Sequence, residues 1–463
     1  MDVDGLRNEL RGELIGPDDA AYDAARRVWN GVIDRHPSLI ARCADASDVV
    51  ASLRFAQDND LDVAVRGGGH SVAGFGTCDH GLVVDLGRMK GIQVDADRRV
   101  ARADGGVLWQ ELDRQTQRVG LATAGGVIST TGIGGLTLGG GFGWLSRRFG
   151  ATVDNLLSAE VVTADGRIVT ASAGENEDLF WALRGGGGNF GVATSLEYRL
   201  HPVGPRVFGG FLAYPVERAA ELLRFYREWT PTVPDELSAD VVFAPPPEED
   251  ATDGVQGVPM VSVGFCYSGP VEDGEKAIAP LREFGEPLLD ESGELLYTTM
   301  QSTFDPHVPA GIYTHWKTAN LAELSDGAIQ ALLEQFALAP ASGSTIVIEH
   351  LDGAYGRRDE ASTAFSHAGE TYRVIVEANS FRAADSDASR DWARGVSEAV
   401  APFTTGSIYL NYLGAEGDEQ VRRAYASAKF ETLRQIKQAY DPENVFRLNQ
   451  NIPPARQVVD VTA

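Results

Sequence analysis

The residues best placed by type and spacing to do chemistry are Arg66-Gly67-Gly68-Gly69-His70-Ser71, where an apolar strand, Leu61–Val65, runs into three glycines and a histidine. Three successive positions without a Cβ let the backbone turn sharply, adopt positive φ and bring its N–H groups close to an anion such as a pyrophosphate. The imidazole directly behind them can act as base, ligand or nucleophile. Glycine runs also make plain turns, and a lone histidine also packs in cores, so the loop takes its meaning from the rest of the chain.

Three further stretches stand out. Gly125–Gly143 holds nine glycines in nineteen residues, a density that would ruin a helix or a central strand at roughly 1 kcal/mol per glycine relative to alanine. A backbone lying against a large flat ligand accounts for it; Ile128, Ile133, Leu136, Leu138 and Phe142 make it too apolar for a linker. Ser407-Ile408-Tyr409-Leu410-Asn411-Tyr412 reads as a strand with Tyr409 and Asn411 on one face and Tyr412 on the other. The close of the chain, Tyr440–Ile452, is dense in asparagine and aromatics for an ordinary tail.

The elements that must position these residues follow from periodicity and breakers. A short helical pattern (Tyr22, Ala25, Val28, Trp29, Ile33) is followed by a strand through Cys43, then by a helix capped by Ser47 or Asp48 that delivers Leu61–Val65 to the glycine loop. Short strands at 82–86, 91–94 and 99–103 precede a helix from Val107 to about Val119, and 157–163 and 167–171 form a hairpin around Asp165-Gly166. Gly186, Gly188 and Gly191 satisfy GxGxxG, but they follow the helix 177–184 and precede the strand 192–200. That order is the reverse of a dinucleotide fold and excludes a Rossmann reading. From about 204 to 400 longer strands (208–214, 260–267, 345–351, 372–380) alternate with helices (216–229, 321–336), as in an antiparallel sheet with helices on one face. Asp235–Gly257, with its Pro245-Pro246-Pro247 run, reads as a surface loop, and 418–440 as a helix.

At 463 residues the chain exceeds one usual core, and 43% hydrophobic content can supply two. Sixty-six acids against 40 bases give a formal charge of −26, which repels nucleic-acid phosphates and anionic headgroups and speaks against both as partners. Only five of the bases are lysine; adaptation to salt and coding bias both remain open. Cys43, Cys78 and Cys266 are sparse and without CxxC, which points to buried free thiols and to no metal site. With an acidic N-terminus and no apolar run of 18 residues, cytoplasmic residence is the default expectation.

Taken together, Arg66–Ser71, Gly125–Gly143, Asp178–Gly191 and Tyr440–Ile452 resemble the flavin-linked oxidases of the berberine-bridge-enzyme type, within the vanillyl-alcohol-oxidase superfamily, over almost the whole length. The resemblance implies an α+β, two-domain PCMH-type FAD-binding fold. Its FAD domain spans residues 1–203, an antiparallel-sheet substrate domain 204–400, and a C-terminal segment, 401–463, returns to the FAD domain. It implies that Arg66, Gly67, Gly68, Gly69 and Ser71 wrap the FAD diphosphate and that His70 is joined covalently to the flavin 8α-methyl. Many relatives add a cysteinyl link, but Ile128 stands where that cysteine would be, so the likeness is to singly linked members. Thr131 falls beside the flavin where oxygen access is controlled, within the loop that also carries Gly134, Gly135 and Gly139. Tyr409, Asn411 and Tyr412 match the strand of catalytic and flavin-contacting side chains, and Asn449 the terminal asparagine near the cofactor.

The function implied is hydride transfer from a small organic alcohol, sugar or amine to FAD, with reoxidation by O2 to H2O2. Tyr412 is chosen as proton acceptor, with Tyr409 and Asn411 positioning, because a regular strand can aim only one tyrosine at the flavin. His315 and Lys317 are possible helpers, or members of a solvated loop. The alternative is a flavin-containing protein that sequesters a small molecule with little turnover, which steady H2O2 production distinguishes. A nicotinamide-dependent reductase lacks any sequence sign of its cofactor site. Oligomeric state is left open.

Overall fold

The computed structural model describes residues 1–244, 259–340, 343–366 and 369–455. Its first part holds two sheets. One contains β1 (Glu13–Ile15), β2 (Leu39–Arg42), β3 (Val63–Arg66) and β4 (Leu82–Asp85), in the order β1-β2-β4-β3. β3 and β2 both run parallel to β4, so the glycine loop leaves the carboxyl end of a parallel strand, where open α/β sheets bind ligands. The helix that feeds β3 is Ala46–Asp58. Its cap is Asp45, whose carboxylate accepts from the Ser47 and Asp48 amides; the sequence reading placed the cap at Ser47 or Asp48. The pattern at 20–40 yields only one turn of helix, Tyr22–Ala25.

The second sheet is antiparallel: β5 (Ile92–Asp95), β6 (Val100–Asp104), β7 (Leu156–Val162), β8 (Ile168–Ser172) and β9 (Val192–Arg199), in the order β5-β6-β9-β7-β8. In the chain between β6 and β7 lies the second glycine stretch, and here a helix does form, Ile133–Leu138. Gly134 and Gly135 were expected to forbid one. The turn is tolerated because Ile133, Thr137 and Leu138 are buried and anchor it, so packing outweighs the intrinsic glycine cost.

The largest sheet comprises β10 (Arg206–Pro215), β11 (Leu237–Ala244), β12 (Met260–Tyr267), β13 (Tyr313–Leu321), β14 (Thr345–His350) and β15 (Tyr372–Ser380), in the order β10-β12-β11-β14-β15-β13, with short strands at the β10 edge. All of its pairings are antiparallel. The period of two sorts its side chains. Val241, Phe243, Val263, Ile346, Ile348, Val374 and Val376 pack against helices Ala219–Trp229, Asp326–Phe336 and Ser386–Val400, while their neighbours face the opposite way. The architecture is thus α+β, with helices on one face of an antiparallel sheet. β11 corrects the sequence reading of Asp235–Gly257 as a surface loop, since 237–244 is a strand; 245–257 of that stretch lies outside the described residues. β13 likewise corrects 313–317, read as possible loop, and 321–336, read as helix, in which Leu321 ends the strand.

The C-terminal segment packs back on the first part. Leu413, Tyr425, Leu433 and Ile452 share a core with Trp109, Phe180 and Phe190. The helix expected over 418–440 is broken into Asp418–Arg423 and Ser427–Tyr440. Lys437 and Asp441, both fully buried, form an ion pair of 2.6 Å. The Lys437 ammonium also donates to the Asn189 and Phe446 carbonyls, and Asp441 accepts from the Val445 and Phe446 amides. Cys43, Cys78 and Cys266 are buried free thiols. Among the described residues no helix is long and apolar enough to cross a membrane.

Candidate active site

One cavity of about 1100 Å³ lies between the glycine loops and the uncovered face of the large sheet. That exceeds the roughly 300–1,000 Å³ of a pocket for one drug-sized ligand, leaving room for a large cofactor and a substrate together. Arg66, Gly67, Gly68, Gly69, His70 and Ser71 line it, as do Ile128, Thr131, Gly134, Gly135 and Gly139. Asn449, Tyr409, Asn411 and Tyr412 reach the same cavity. The structure therefore gathers these residues, all chosen from sequence, into one space.

The two glycine loops meet backbone to backbone: a Cβ on Gly68 would lie 2.4 Å from the Gly132 nitrogen, and one on Gly132 would lie 2.3 Å from that of Gly68. No side chain fits at either position. Gly135 and Gly188 have the opposite character, since a Cβ there would meet nothing within 4 Å, leaving bare backbone toward the cavity. The helix at Ile133 starts from Gly132, which supplies no side-chain cap, so first-turn amides need an acceptor from elsewhere. Arg66 holds the base of the loop, donating to the buried Asp85 carboxylate at 2.7 Å.

His70 stacks on Trp29 with ring centroids 4.2 Å apart and planes 17° from parallel. Trp29 is fixed by its indole N–H, which donates to the Val308 carbonyl at 2.9 Å. Burial pulls the His70 imidazole down to about 4, so it is neutral at physiological pH. Its Nε2 is buried without a partner, as is Asn449 Oδ1. Both residues line the cavity, and buried polar atoms left without a partner call for a reason; together with the bare glycine backbone they fit a flavin dinucleotide.

At the tyrosines the structure corrects the sequence reading. Leu410–Tyr412 is a single 3₁₀ turn, with the Tyr412 amide donating to the Tyr409 carbonyl at 3.2 Å, and no strand among the described residues pairs with it. Alternating polarity and aromatic residues mimicked a strand. With three residues per turn, positions 409 and 412 fall on the same side, and their rings meet edge to face at 4.7 Å. Both tyrosines thus face the cavity. The Tyr409 hydroxyl oxygen accepts from the Gly141 amide at 2.8 Å and from Asn411 Nδ2 at 3.0 Å, while Asn411 also donates to the Leu136 carbonyl. That makes Tyr409 and Asn411 the fasteners of the glycine stretch; a Cβ on Gly139 would strike Asn411 Oδ1 at 1.9 Å.

The Tyr412 hydroxyl instead donates to Glu349 Oε1 at 2.9 Å. Glu349 lies on β14, and its other oxygen accepts from Arg373 Nη1 at 2.9 Å. Arg373, fully buried, also donates to Asn320 and Tyr355 and sits 4.1 Å over the Tyr409 ring. Burial pushes the Glu349 carboxyl up, opposed by Arg373 and the Tyr412 hydrogen bond; burial and the Glu349 charge push the Tyr412 phenol well above its usual range. Burial likewise lifts Tyr409 to about 12, with Arg373 opposing. Burial thus favours the neutral form of both phenols, and Tyr412 has a carboxylate, Glu349, within reach of its hydroxyl proton.

Glu349, Arg373, Trp29 and the cavity-facing acids Asp240 and Glu377 escaped the sequence reading. A signal existed: a charge within runs such as Thr345-Ile-Val-Ile-Glu349 is costly to bury and so calls for a reason. His315 and Lys317 were proposed as helpers, but neither lines the cavity. They alternate with Trp316 on β13, and His315 meets Ser386 Oγ at 2.9 Å while Lys317 pairs with Glu416 at 2.8 Å.

The fold and this site define an FAD-linked oxidoreductase, and the comparisons with known proteins agree. The family described as "FAD binding domain" matches residues 37–172, and "Berberine and berberine like" matches 408–453. The chain is 32% identical over 456 residues to (R)-6-hydroxynicotine oxidase of Paenarthrobacter nicotinovorans, covering 96% of this chain and 97% of that protein. The crystal structure of 6-hydroxy-D-nicotine oxidase from Arthrobacter nicotinovorans superposes with a TM-score of 0.87 at 31% identity, over 96% of this chain and 98% of that one. Glucooligosaccharide oxidase from Acremonium strictum, which carries a 6-S-cysteinyl, 8α-N1-histidyl FAD, shares the fold with a TM-score of 0.86 at 24% identity, over 98% of this chain and all of that one. The chain belongs to the berberine-bridge-enzyme-like FAD-linked oxidases.

Proposed function

We propose that this enzyme oxidises a small organic alcohol, sugar or amine at a flavin attached through His70 alone, and that O2 is its electron acceptor. The cofactor would supply the hydride acceptor and the oxygen chemistry. Residues 1–203 and 401–463 would form the cofactor domain and 204–400 the substrate domain. The glycine loops would hold the diphosphate, and neutral His70, held by Trp29, would present a ring nitrogen for the covalent bond. Ile128 cannot supply a second, thioether link. Thr131 would stand beside the flavin and Asn449 would donate to or accept from it.

The observation that carries the reading is the Tyr412–Glu349 hydrogen bond on the wall of the cavity that His70 also lines. A substrate O–H or N–H would pass its proton to Tyr412 Oη as the phenol passes its own to Glu349 Oε1, and Arg373 would hold that carboxylate in place. Tyr409 and Asn411 would keep the glycine stretch in register beneath the cofactor. The nicotine and oligosaccharide oxidases among the relatives bracket the substrate chemistry without choosing within it. The test is anaerobic mixing of the purified flavoprotein with a panel of small alcohols, sugars and amines. Bleaching of the flavin by a donor, followed by stoichiometric H2O2 on admitting air, is the expected result; binding without bleaching across the panel would favour sequestration.

A further inference from the structure

The sheet face that closes the cavity carries acid without matching base. Asp240, Glu291, Glu349 and Glu377 all reach the cavity, whereas its basic lining residues among those described are Arg66, His70 and His307. Arg66 is engaged by Asp85, and Glu349 by Arg373. Glu377 has no such cation among the described residues; its carboxylate accepts from the Thr345 hydroxyl at 3.1 Å.

Its neighbours are set by register. On one side of Glu377 stands Thr345 of β14, and on the other Trp316 of β13. Directly opposed residues of an antiparallel pair share a face, with Cβ atoms roughly 4.5–5.5 Å apart. A carboxylate and an indole side by side in a cavity wall form the combination that binds ammonium groups, one by charge and one through its π face. The same indole packs against Tyr412, with centroids 5.2 Å apart, and so leads from Glu377 toward the proton acceptor. Between the two ends, Val347 pairs with Ile375 as an apolar floor. Glu377 is four residues from the Glu349–Arg373 pair, roughly 13 Å along the strands. Burial without a counter-charge holds the Glu377 carboxyl up at about 7, with Glu349 adding to the effect and Thr345 opposing it.

We propose that the substrate is a cation, with an ammonium group held between Glu377 and Trp316 while the carbon to be oxidised lies toward Tyr412. This rests on the oxidase reading of Tyr412 and Glu349, but its test need not. Benzyltrimethylammonium and neutral 4-tert-butylbenzyl alcohol are titrated into the flavoprotein, with binding read from the flavin absorption spectrum and by calorimetry. The ammonium ion is expected to bind at least tenfold more tightly than the alcohol. Glu377→Gln should cost the cation at least tenfold and leave the alcohol within about twofold, since removing one member of a desolvated charge pair is expensive. Trp316→Phe, with a weaker π face, should weaken the cation severalfold and serves if the Gln variant fails to hold flavin. Equal binding of the two probes by the wild type, or a cation indifferent to both substitutions, overturns the ammonium site. Peroxide from neutral sugars with no cation preference overturns it while the oxidase reading stands. Glu377-dependent cation binding without flavin bleaching by any alcohol, sugar or amine of the panel supports the site and removes the oxidase reading.

Discussion

Tyr412 and Tyr409 share a ring contact and a cavity, and what separates them is where each hydroxyl is engaged. Tyr412 donates to a carboxylate able to receive a proton, whereas Tyr409 accepts two N–H groups of the glycine stretch and its anchor. Tyr412→Phe is therefore expected to slow anaerobic flavin reduction by roughly 10²–10⁴, the range of general base catalysis, with the spectrum of the attached flavin unchanged. Tyr409→Phe should do much less to that rate; the reverse order would move the base to Tyr409. His70 makes a second prediction at this scale. Because burial lowers it to about 4, the proton stays off the folded-state ring until the pH falls well below the usual imidazole range. Covalent incorporation of FAD into apoprotein should then proceed at rates within about twofold at pH 5.5 and 7.5. An imidazole near 6.5 would be about nine-tenths protonated at the lower pH, and a tenfold slower reaction there would show that His70 titrates as an ordinary one. His70 itself was legible from sequence because glycines announced it; Glu349 was not, because its partner Tyr412 lies 63 residues away and only the fold brings them together.

The elements that build the cavity differ in how well sequence foretold them. β12 and β15 come out with the bounds read from their apolar runs. Strand character is local there, since both faces of each are largely buried. The turn at 410–412 and the helix at 133–138 went the other way, because tertiary contacts decided them: Asn411 donating to the Leu136 carbonyl, and Ile133 and Leu138 sinking into the core. β11 was hidden by the proline and acid run beyond it, which drew the whole stretch into one loop. The C-terminal segment depends on an ion pair that no sequence pattern advertised. Lys437→Met leaves Asp441 buried without its cation, so it should cost about 3–5 kcal/mol in denaturant unfolding. A loss within 0.5 kcal/mol would mean that the backbone amides at 445 and 446 suffice to hold the carboxylate.

At the scale of the whole molecule, a formal charge of −26 sets a background of self-repulsion. Added ions screen it, with a Debye length of about 10 Å at 0.1 M and about 3 Å at 1 M. Melting temperature should then rise between those concentrations in chloride as well as in sulfate. A rise in sulfate alone would point to exclusion from the surface, and no rise would leave coding bias as the account of the composition. The account as a whole stands on the attached flavin, and the most direct measurement is the mass of the flavin peptide. Trypsin should release residues 67–88, which contain both His70 and Cys78. Acid-precipitated protein should stay yellow, with one FAD per chain on this peptide, fragment ions placing it on His70, and His70→Ala abolishing the adduct. Release of all flavin on denaturation, or a flavin on Cys43, Cys78 or Cys266, would contradict the claim.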